Sequence, residues 1–272
     1  MITAAFEYAR PGSVDEAQAL LNKFGDDAKV IAGGQSLIPL MRLRLSQPTA
    51  LVDIQGIDEL KDVRRDNGSV EIGALVRHVD IQRSATLRET LPILVEMAND
   101  VGDNQVRNLG TIGGVIAHGD AAGDYNALAL MLDAEIVTNK RSHQARDFYR
   151  DILTTALEHD EVVTAVRFPV STGRFAYTKF RRRLYDWALA GVAVQESGSS
   201  WRVGYVNLAR TPRRGTAVEA ALAAGASAVD AAGQSGSDID PTSDVRATAE
   251  YKRHVTEVLT ARTLQAAAAV SS

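Results

Sequence analysis

The stretch Val30-Ile31-Ala32-Gly33-Gly34-Gln35-Ser36-Leu37 runs from an apolar strand directly into a pair of glycines. A second stretch, Gly110-Thr111-Ile112-Gly113-Gly114, contains another such pair later in the chain. Consecutive glycines allow a positive φ and a close approach to a ligand, so successive N–H groups can converge on an anion such as a pyrophosphate. Most single glycine pairs form turns, but two pairs with apolar neighbours on both sides favour a ligand-binding role.

Two familiar phosphate-binding motifs are missing from the chain. There is no G-x-G sequence, which excludes the Rossmann fingerprint, and no G-K-S or G-K-T sequence, which excludes a Walker loop. The sequence also has no Ser-His-Asp arrangement with a nucleophile elbow and no recognisable pair of catalytic carboxylates. This pattern is typical of a protein whose chemistry belongs to a cofactor, with the polypeptide supplying binding and orientation.

The composition excludes several classes of protein. The 272 residues include no cysteine, so the chain can hold no disulfide and no cysteine-ligated zinc or iron–sulfur centre. Any such centre must belong to a partner. The formal net charge of −4 argues against a dedicated nucleic-acid-binding protein, because such proteins are usually basic. The five histidines show no metal-ligand spacing, so we expect no metal site.

No stretch of the sequence has the features of a membrane span. The longest apolar runs, such as residues 187–194, are far shorter than the roughly 20 residues that a spanning helix needs. Residues 1–7 lack the charged and apolar regions of a secretory signal. We therefore expect a cytoplasmic protein without a membrane-spanning segment.

Helix and strand signals alternate in the first part of the chain. Ser13 and Glu16 form a capping box before a helix that ends at Gly25. Asp66-Asn67-Gly68 predicts a hairpin turn, and Asp124 is a plausible N-cap of a later helix. Apolar runs predict a helix over 91–101 and strands over 29–32, 50–54 and 161–168.

The C-terminal part of the chain has a different pattern. Runs 175–180, 187–195 and 201–208 predict a three-stranded antiparallel meander. An Ala-, Gly- and Ser-rich region follows, and then a long helix over about 245–270. The whole sequence therefore predicts an α+β fold.

Longer segments around the glycine pairs carry a family resemblance. Residues 32–41, 110–114 and the downstream His118-Gly119-Asp120-Ala121-Ala122-Gly123-Asp124 resemble the flavin-binding motifs of one group of proteins. That group is the FAD-carrying medium subunits of the carbon monoxide dehydrogenase and xanthine dehydrogenase family of molybdenum hydroxylases. The resemblance extends over essentially the whole chain.

The resemblance implies a particular architecture. The N-terminal part would be a two-subdomain FAD-binding fold of the PCMH (vanillyl-alcohol oxidase-like) type. A smaller C-terminal α+β domain with a three-stranded antiparallel sheet would follow. We expect the first domain to span 1–171, with subdomains of about 1–54 and 55–171, and the second to span 172–272.

The resemblance also implies which residues contact FAD. The first loop would wrap the pyrophosphate, and the second would bind from the opposite side with the Thr111 hydroxyl as an extra donor. Asp124 matches a carboxylate that holds the adenosine half, and Lys179 matches a lysine near the flavin. Trp187 matches an aromatic residue over the isoalloxazine, although a core aromatic residue is an equal alternative. The expected cofactor contacts are Ala32, Gly33, Gly34, Gln35, Ser36, Leu37, Gly110, Thr111, Ile112, Gly113, Gly114, Val115, Asp124 and Lys179.

Some positions depart from the family pattern. Val115 replaces the usual Asn or Ser and offers no side-chain hydrogen bond, and Tyr185 stands where a small residue is common. Lys179 begins a basic run that includes Arg181, Arg182 and Arg183. Such a run fits a solvated face, a neighbour of a cofactor phosphate or a docking patch for an acidic partner. In a strand, alternation would place Lys179, Arg181 and Arg183 on one face and Phe180 and Arg182 on the other.

In function, the resemblance implies an electron-transfer subunit of a heteromeric molybdenum hydroxylase. Electrons would pass from a molybdopterin-binding large subunit through two [2Fe-2S] clusters of an iron–sulfur small subunit to FAD on this chain, and then to an external acceptor. The assembly would be a dimer of heterotrimers. Two alternatives stay open: a self-sufficient FAD-dependent reductase of the same fold, and a flavinless assembly module.

Overall fold

The computed structural model describes residues 2–269, which form a mixed α and β fold and confirm the predicted class. The strands are β1 (Glu7–Ala9), β2 (Ala28–Ile31), β3 (Ala50–Asp53), β4 (Val63–Asp66), β5 (Ser69–Gly73), β6 (Glu135–Thr138), β7 (Ser142–Gln144), β8 (Tyr149–Asp151), β9 (Thr154–Thr155), β10 (Val163–Pro169), β11 (Phe175–Phe180), β12 (Ala190–Ser197), β13 (Ser200–Val206) and β14 (Arg213–Arg214). The helices are α1 (Val14–Phe24), α2 (Leu37–Arg42), α3 (His78–Arg83), α4 (Ala85–Thr90), α5 (Pro92–Asn99), α6 (Asn104–Leu109), α7 (Ile112–His118), α8 (Asp124–Met131), α9 (Ala145–Phe148), α10 (Thr216–Ala223), α11 (Ala228–Ala232) and α12 (Ala249–Ala269).

The first sheet is parallel, with the strand order β1-β3-β2. Helix α1 packs against it and buries Ala17 and Leu21. Half of the predicted capping box forms: the Ser13 hydroxyl accepts a hydrogen bond from the Glu16 N–H, but the Glu16 carboxylate accepts from the Gly12 N–H and not from that of Ser13. The helix ends at Gly25, whose φ of 77° suits glycine. Helix α1 thus holds its place against the first sheet, and the first glycine loop begins at the carboxyl end of β2.

The second sheet is antiparallel, with the strand order β4-β5-β10-β6-β7. The predicted hairpin joins β4 to β5 through Asn67 and Gly68, both of which have a positive φ. Helices α3, α4, α5, α7 and α8 contribute buried side chains to the same hydrophobic core as this sheet. That core includes Ile112 and Tyr125, so the second glycine loop and helix α8 are attached to it.

The third sheet has the strand order β11-β12-β13-β14 and is antiparallel throughout. The three predicted long strands are present, and the two-residue strand β14 extends the edge. Strand β12 begins at Ala190, so the predicted start at residue 187 is wrong and Trp187 lies in the preceding connection. Helix α12 packs on this sheet; the last residue predicted for it, Val270, lies outside the described residues.

No helix within residues 2–269 combines the length and the apolar character needed to cross a bilayer.

Candidate functional site

A single large cleft collects residues from both glycine loops, helix α8 and strand β11. Its volume of about 610 Å³ lies within the range of roughly 300 to 1,000 Å³ that small-molecule and cofactor sites occupy. Fourteen of the residues singled out in the sequence line it: Ala32, Gly33, Gly34, Gln35, Ser36, Leu37, Gly110, Thr111, Gly113, Gly114, Val115, Asp124, Lys179 and Trp187. Ile112 is instead fully buried in the hydrophobic core.

The first glycine loop connects β2 to α2 and presents its backbone to the cleft. Within residues 2–269, no acceptor pairs with the backbone N–H groups of Gly33, Gly34, Gln35 or Ser36. Gly34 has a φ of 69°, and the Gln35 Nε2 donates to the Gly33 carbonyl at 2.9 Å. The Gln35 side chain therefore stabilises the loop through the Gly33 carbonyl and occupies none of the loop's backbone N–H groups. A run of such donors is a ready anion-binding concavity.

The second glycine loop differs, because within residues 2–269 all of its N–H groups except that of Thr111 have acceptors. The Ile112 N–H donates to the Val76 carbonyl at 3.0 Å, and the Gly113 N–H donates to the Ala74 carbonyl at 2.9 Å. Thr111 is the N-cap of α7, and its hydroxyl oxygen accepts from the Gly114 N–H at 3.2 Å. The Thr111 hydroxyl was expected to donate a hydrogen bond to the cofactor. Its oxygen caps α7, and its hydrogen is still free to be donated.

Val115 lies one residue further along α7. Its N–H donates to the Thr111 carbonyl at 3.1 Å in the first turn of the helix, so this amide does not replace the missing polar side chain. The Val115 side chain packs against the core instead.

The two loops meet backbone to backbone. A Cβ on Gly33 would lie 2.2 Å from the Leu109 carbonyl oxygen and 2.7 Å from the Gly110 Cα, so only glycine permits this approach. Gly113 is equally confined, since its Cβ would lie 2.5 Å from that of Ala74. Gly114 is different: its Cβ would meet only the Thr111 hydroxyl, at 3.0 Å. Open space beside Gly114 is therefore part of the cleft.

Asp124 and Lys179 form a buried ion pair in the cleft wall. Their charged atoms lie 2.8 Å apart, and their side chains are 5% and 3% exposed. The Tyr177 hydroxyl donates to the other Asp124 oxygen, and burial beside this carboxylate raises the pKa of Tyr177 well above its usual value. The pair joins α8 to β11 and holds the third sheet against the cleft. The prediction that Asp124 caps α8 is wrong: Gly123 is the cap, and Asp124 is the first helical residue.

The basic run starts in strand β11 and continues into the connection before β12. Lys179 donates to the Asp100 carbonyl at 3.0 Å, and Arg181 donates to the Asp100 carboxylate at 2.8 Å. Both side chains therefore reach Asp100, but β11 ends at Phe180, so Arg181 and Arg183 lie outside the strand for which the alternation was predicted. Trp187 is 50% exposed and borders the cleft, which rules out the alternative of a core aromatic residue.

Two cleft residues, His78 and Tyr125, carried no signal in the sequence. His78 begins α3 and is 2% exposed, and Tyr125 lies in α8 and is 0% exposed. Their rings meet edge to face with centroids 5.3 Å apart. Burial, with a smaller contribution from the positive charge of Arg107, lowers the pKa of His78 to about 4, so the ring is neutral near pH 7. No spacing rule could have found a lone histidine that folding brings against Gly110.

The described residues, 2–269, contain no cluster of three or more His, Asp or Glu side chains that could hold a metal ion. His118, the histidine nearest the second loop in sequence, lines the cleft, and burial lowers its pKa.

Comparisons with known proteins agree with this geometry. Residues 4–171 match the family described as the FAD binding domain in molybdopterin dehydrogenase, and residues 175–267 match the carbon monoxide dehydrogenase flavoprotein C-terminal domain. The chain is 40% identical to the carbon monoxide dehydrogenase medium chain of Hydrogenophaga pseudoflava, with 98% of each chain covered. It is 32% identical to the nicotine 6-hydroxylase medium subunit of Paenarthrobacter nicotinovorans, with 97% and 98% covered.

Solved structures show the same similarity. A structure of the carbon monoxide dehydrogenase from Hydrogenophaga pseudoflava, in a form that lacks the Mo-pyranopterin moiety of the molybdenum cofactor, contains a chain that superposes with a TM-score of 0.92. The two chains are 39% identical, and the match covers 99% of each.

Proposed function

Since this chain belongs to the family of FAD-binding medium chains of molybdopterin dehydrogenases, we propose that it is the electron-transfer subunit of a heteromeric molybdenum hydroxylase. In this role it relays electrons from [2Fe-2S] clusters of a partner subunit to an external acceptor. FAD supplies the redox chemistry when it is bound, and the polypeptide supplies its position and surroundings.

The observation that carries the proposal is the first glycine loop. Four successive N–H groups, from Gly33 to Ser36, lie at the cleft without acceptors in the described residues. A pyrophosphate satisfies such donors, and each charge-assisted hydrogen bond contributes about 1.5 to 3 kcal/mol.

The rest of the cleft also fits FAD. The space beside Gly114, which a Cβ would fill, leaves room for the cofactor next to the second loop.

The cleft residues have three roles in this proposal: some donate hydrogen bonds to the cofactor, some form the cleft wall, and some hold that wall in place. Residues 32–37 bind the pyrophosphate, and residues 110–115 shape the opposite wall. Asp124 and Lys179, already paired with each other, fix the wall near the adenosine half and the flavin. Trp187, half exposed at the cleft, shields the isoalloxazine. Excluding water from this ring is the protein's contribution to controlled electron transfer.

The domain organisation follows the sheets. We place the boundary near residue 171, between β10 and β11, with an FAD-binding domain at 1–171 and a C-terminal domain at 172–272. The separate antiparallel sheet after Phe175 and the two family matches support this division. The subdomains of about 1–54 and 55–171 correspond to the first and second sheets.

The proposed partners are those that family membership implies, and the absence of cysteine agrees with them. This chain cannot ligate an iron–sulfur cluster through thiolates, and on the family pattern a small subunit would hold two [2Fe-2S] clusters and a large subunit the molybdopterin. Three subunits of this kind form a heterotrimer that pairs with a second copy. The relatives named above act on different substrates, carbon monoxide and nicotine, which is consistent with a substrate site on the large subunit.

Purification of the chain with a tag from its native host tests the proposal. We expect a yellow preparation with the FAD absorption spectrum and co-purifying subunits that contain iron, sulfide and molybdenum. A Gly34→Val variant, which forces a β-branched residue to a φ of 69°, should lose the flavin. Full substrate turnover by the purified chain without a partner would contradict the electron-transfer role and favour a self-sufficient reductase.

A further inference from the structure

Helix α2 and the turn after it carry an exposed apolar surface. The side chains of Ile38, Leu43 and Leu45 are all exposed, the last of them to 73%. Single exposed leucines are common in proteins, but three large apolar side chains within eight residues form a patch, and exposed patches mark sites where partners bind. We call the exposed residues Ile38, Arg42, Leu43, Arg44 and Leu45 the α2 surface.

The other sides of α2 are already occupied. Met41 is buried in a small hydrophobic cluster with Ile31 and Leu51. Leu37 and Leu40 line the cleft that the glycine loops form. The same short helix therefore has the cleft on one side and the α2 surface on another, so a partner bound to the α2 surface lies beside the cleft.

The α2 surface is also positively charged. Within residues 2–269, neither the Arg42 nor the Arg44 guanidinium forms an ion pair. No Asp or Glu occurs from residue 28 to residue 52, although the chain as a whole has a net charge of −4. Protein interfaces are rich in arginine and have an apolar centre with a polar rim. The complementary partner surface is therefore apolar with acidic side chains around it.

The turn after α2 holds one of these arginines in a strained conformation. Arg44 has a φ of 62°, in the left-handed region where glycine is favoured after a helix. The Arg44 N–H donates to the Met41 carbonyl at 3.1 Å, and the Leu45 N–H donates to the Leu40 carbonyl at 2.9 Å. Strained positions of this kind cluster at functional sites. An exposed arginine in place of glycine thus indicates that its side chain has a binding role.

We infer that the α2 surface is the docking site for the iron–sulfur subunit of the proposed complex. This inference rests on the proposed function, which supplies that partner. Electrons reach a cofactor only from a redox centre held close to it, so the subunit with the clusters must dock beside the cleft. A membrane surface fits less well, because α2 has only six residues and its remaining sides face the core and the cleft.

Cross-linking in the assembled complex tests the location of the docking site. Because the chain has no cysteine, Leu45→Cys gives it a single thiol. The thiol is labelled with a maleimide photo-cross-linker before the chain is returned to its partner subunits. We expect a cross-link to the iron–sulfur subunit. The control, Val229→Cys, places the label on exposed α11 away from the cleft and should give no such product. Cross-links from Leu45→Cys only to the large subunit or to a second copy of this chain would overturn the inference.

Leu43→Glu measures the contribution of the apolar centre. Leu43 is 58% exposed, and the substitution places a negative charge opposite the acidic partner surface. We expect the dissociation constant for the immobilised partner subunits, measured by surface plasmon resonance, to rise at least about tenfold. Val229→Glu is the matched control, since Val229 is 59% exposed, and it should bind like the wild type. Both variants should keep the wild-type melting temperature.

Arg44→Gly separates docking from folding. Glycine adopts a φ of 62° without strain, so the melting temperature of the variant should stay the same or rise. Its association with the partner subunits should be slower and less dependent on ionic strength, because a positive charge has been removed from the interface. Association rates at low and high salt measure both effects, and rates equal to those of the wild type would contradict the inference.

The outcomes also distinguish this inference from the proposed function. If the wild-type chain, Leu43→Glu and Arg44→Gly all bind the partner subunits equally well, the inference is wrong and the proposed function is unaffected. Weaker binding that is matched by a lower melting temperature in both variants would also overturn it, by showing that the substitutions disturb the fold. If the wild-type chain binds no iron–sulfur subunit, the proposed function itself fails.

Discussion

The two glycine loops line the same cleft, but their backbone N–H groups are in opposite states. From Gly33 to Ser36 the N–H groups have no acceptor within residues 2–269. From Ile112 to Val115 every N–H donates to a carbonyl or a hydroxyl of the protein. Similar glycine patterns in the sequence thus form two different loops. The first offers hydrogen-bond donors to a ligand, and the second leaves space for one.

The difference has a local cause. The second loop begins α7, whose N-cap Thr111 occupies the Gly114 N–H, and it packs on the segment before α3, whose carbonyls accept from Ile112 and Gly113. The first loop follows a parallel strand, and Ser36 makes no side-chain cap for α2. Residues 33–36 lie between β2 and α2, so their N–H groups take part neither in the strand pairing nor in the helical hydrogen bonds and are left for a ligand.

The stability of the chain should be most sensitive to substitutions at the close contact between the two loops. Gly33→Val should destabilise the chain by about 3 kcal/mol, the upper part of the range for overpacking, because its Cβ would collide with the backbone of Leu109. Chemical denaturation measures the loss, and flavin absorbance should show no bound FAD. Gly68→Ala is the control, since nothing lies within 4 Å of its Cβ, although its positive φ allows a small cost. Equal stability of the Gly33 variant and the wild type would show that the loops can separate freely.

Acid should destabilise the wall behind the second loop. His78 has a pKa of about 4 in the folded state, below the usual 6.5, so the unfolded chain takes up its proton first as the pH falls. The contribution of the neutral His78 ring to the free energy of unfolding is fully present above pH 6.5 and decreases as the pH falls towards 4. By pH 5 the decline should reach about 2 kcal/mol. Subtracting the pH profile of a His78→Gln variant isolates this contribution; parallel profiles would refute it.

Gly114→Val tests whether the second loop supplies space. The new Cβ would lie 3.0 Å from the Thr111 hydroxyl, which must shift slightly, and the rest of the side chain would enter the cleft, so the apo chain should fold with at most a small loss of stability. Affinity for FAD should fall at least tenfold, about 1.4 kcal/mol, because the side chain occupies the cofactor's volume. Fluorescence titration measures the affinity and calorimetry the apo melting temperature. An unchanged affinity would mean that the cofactor does not pass Gly114.

Thr111→Ala should have the smallest effect. Loss of the cap on α7 should cost about 1 kcal/mol of folding stability. Thr111→Ser keeps the hydroxyl and should restore most of it. If both variants bind FAD like the wild type, the hydroxyl acts as a cap; a large loss of FAD affinity in Thr111→Ala with unchanged stability would instead make it a cofactor donor.

The sequence predicted the parts of the fold that depend on local signals. The N-cap at Ser13, the hairpin at Asn67-Gly68 and the three long strands of the third sheet all follow from short patterns, and all are present. The start of β12 was predicted three residues too early, because Trp187, Ala188 and Leu189 form an apolar run with the strand, although Trp187 lies at the cleft and the other two are buried in the connection before the strand begins.

The site was only partly predictable. Glycine pairs identified both loops, but not which one has free donors, since that depends on carbonyls of Ala74 and Val76 far away in sequence. Asp124 and Lys179 were expected as separate contacts, and only folding shows that they pair with each other. His78 gave no signal, because its environment is assembled entirely by tertiary packing.

Amide hydrogen exchange with and without FAD tests the central claim most directly. The amides of 33–36 should exchange rapidly in the apo chain and become strongly protected when FAD binds, because the cofactor supplies their first acceptors. The amides of 112–115 should be protected in both states and change little. Protection of 112–115 on FAD binding, with 33–36 unchanged, would contradict the division between a donor loop and a space-forming loop.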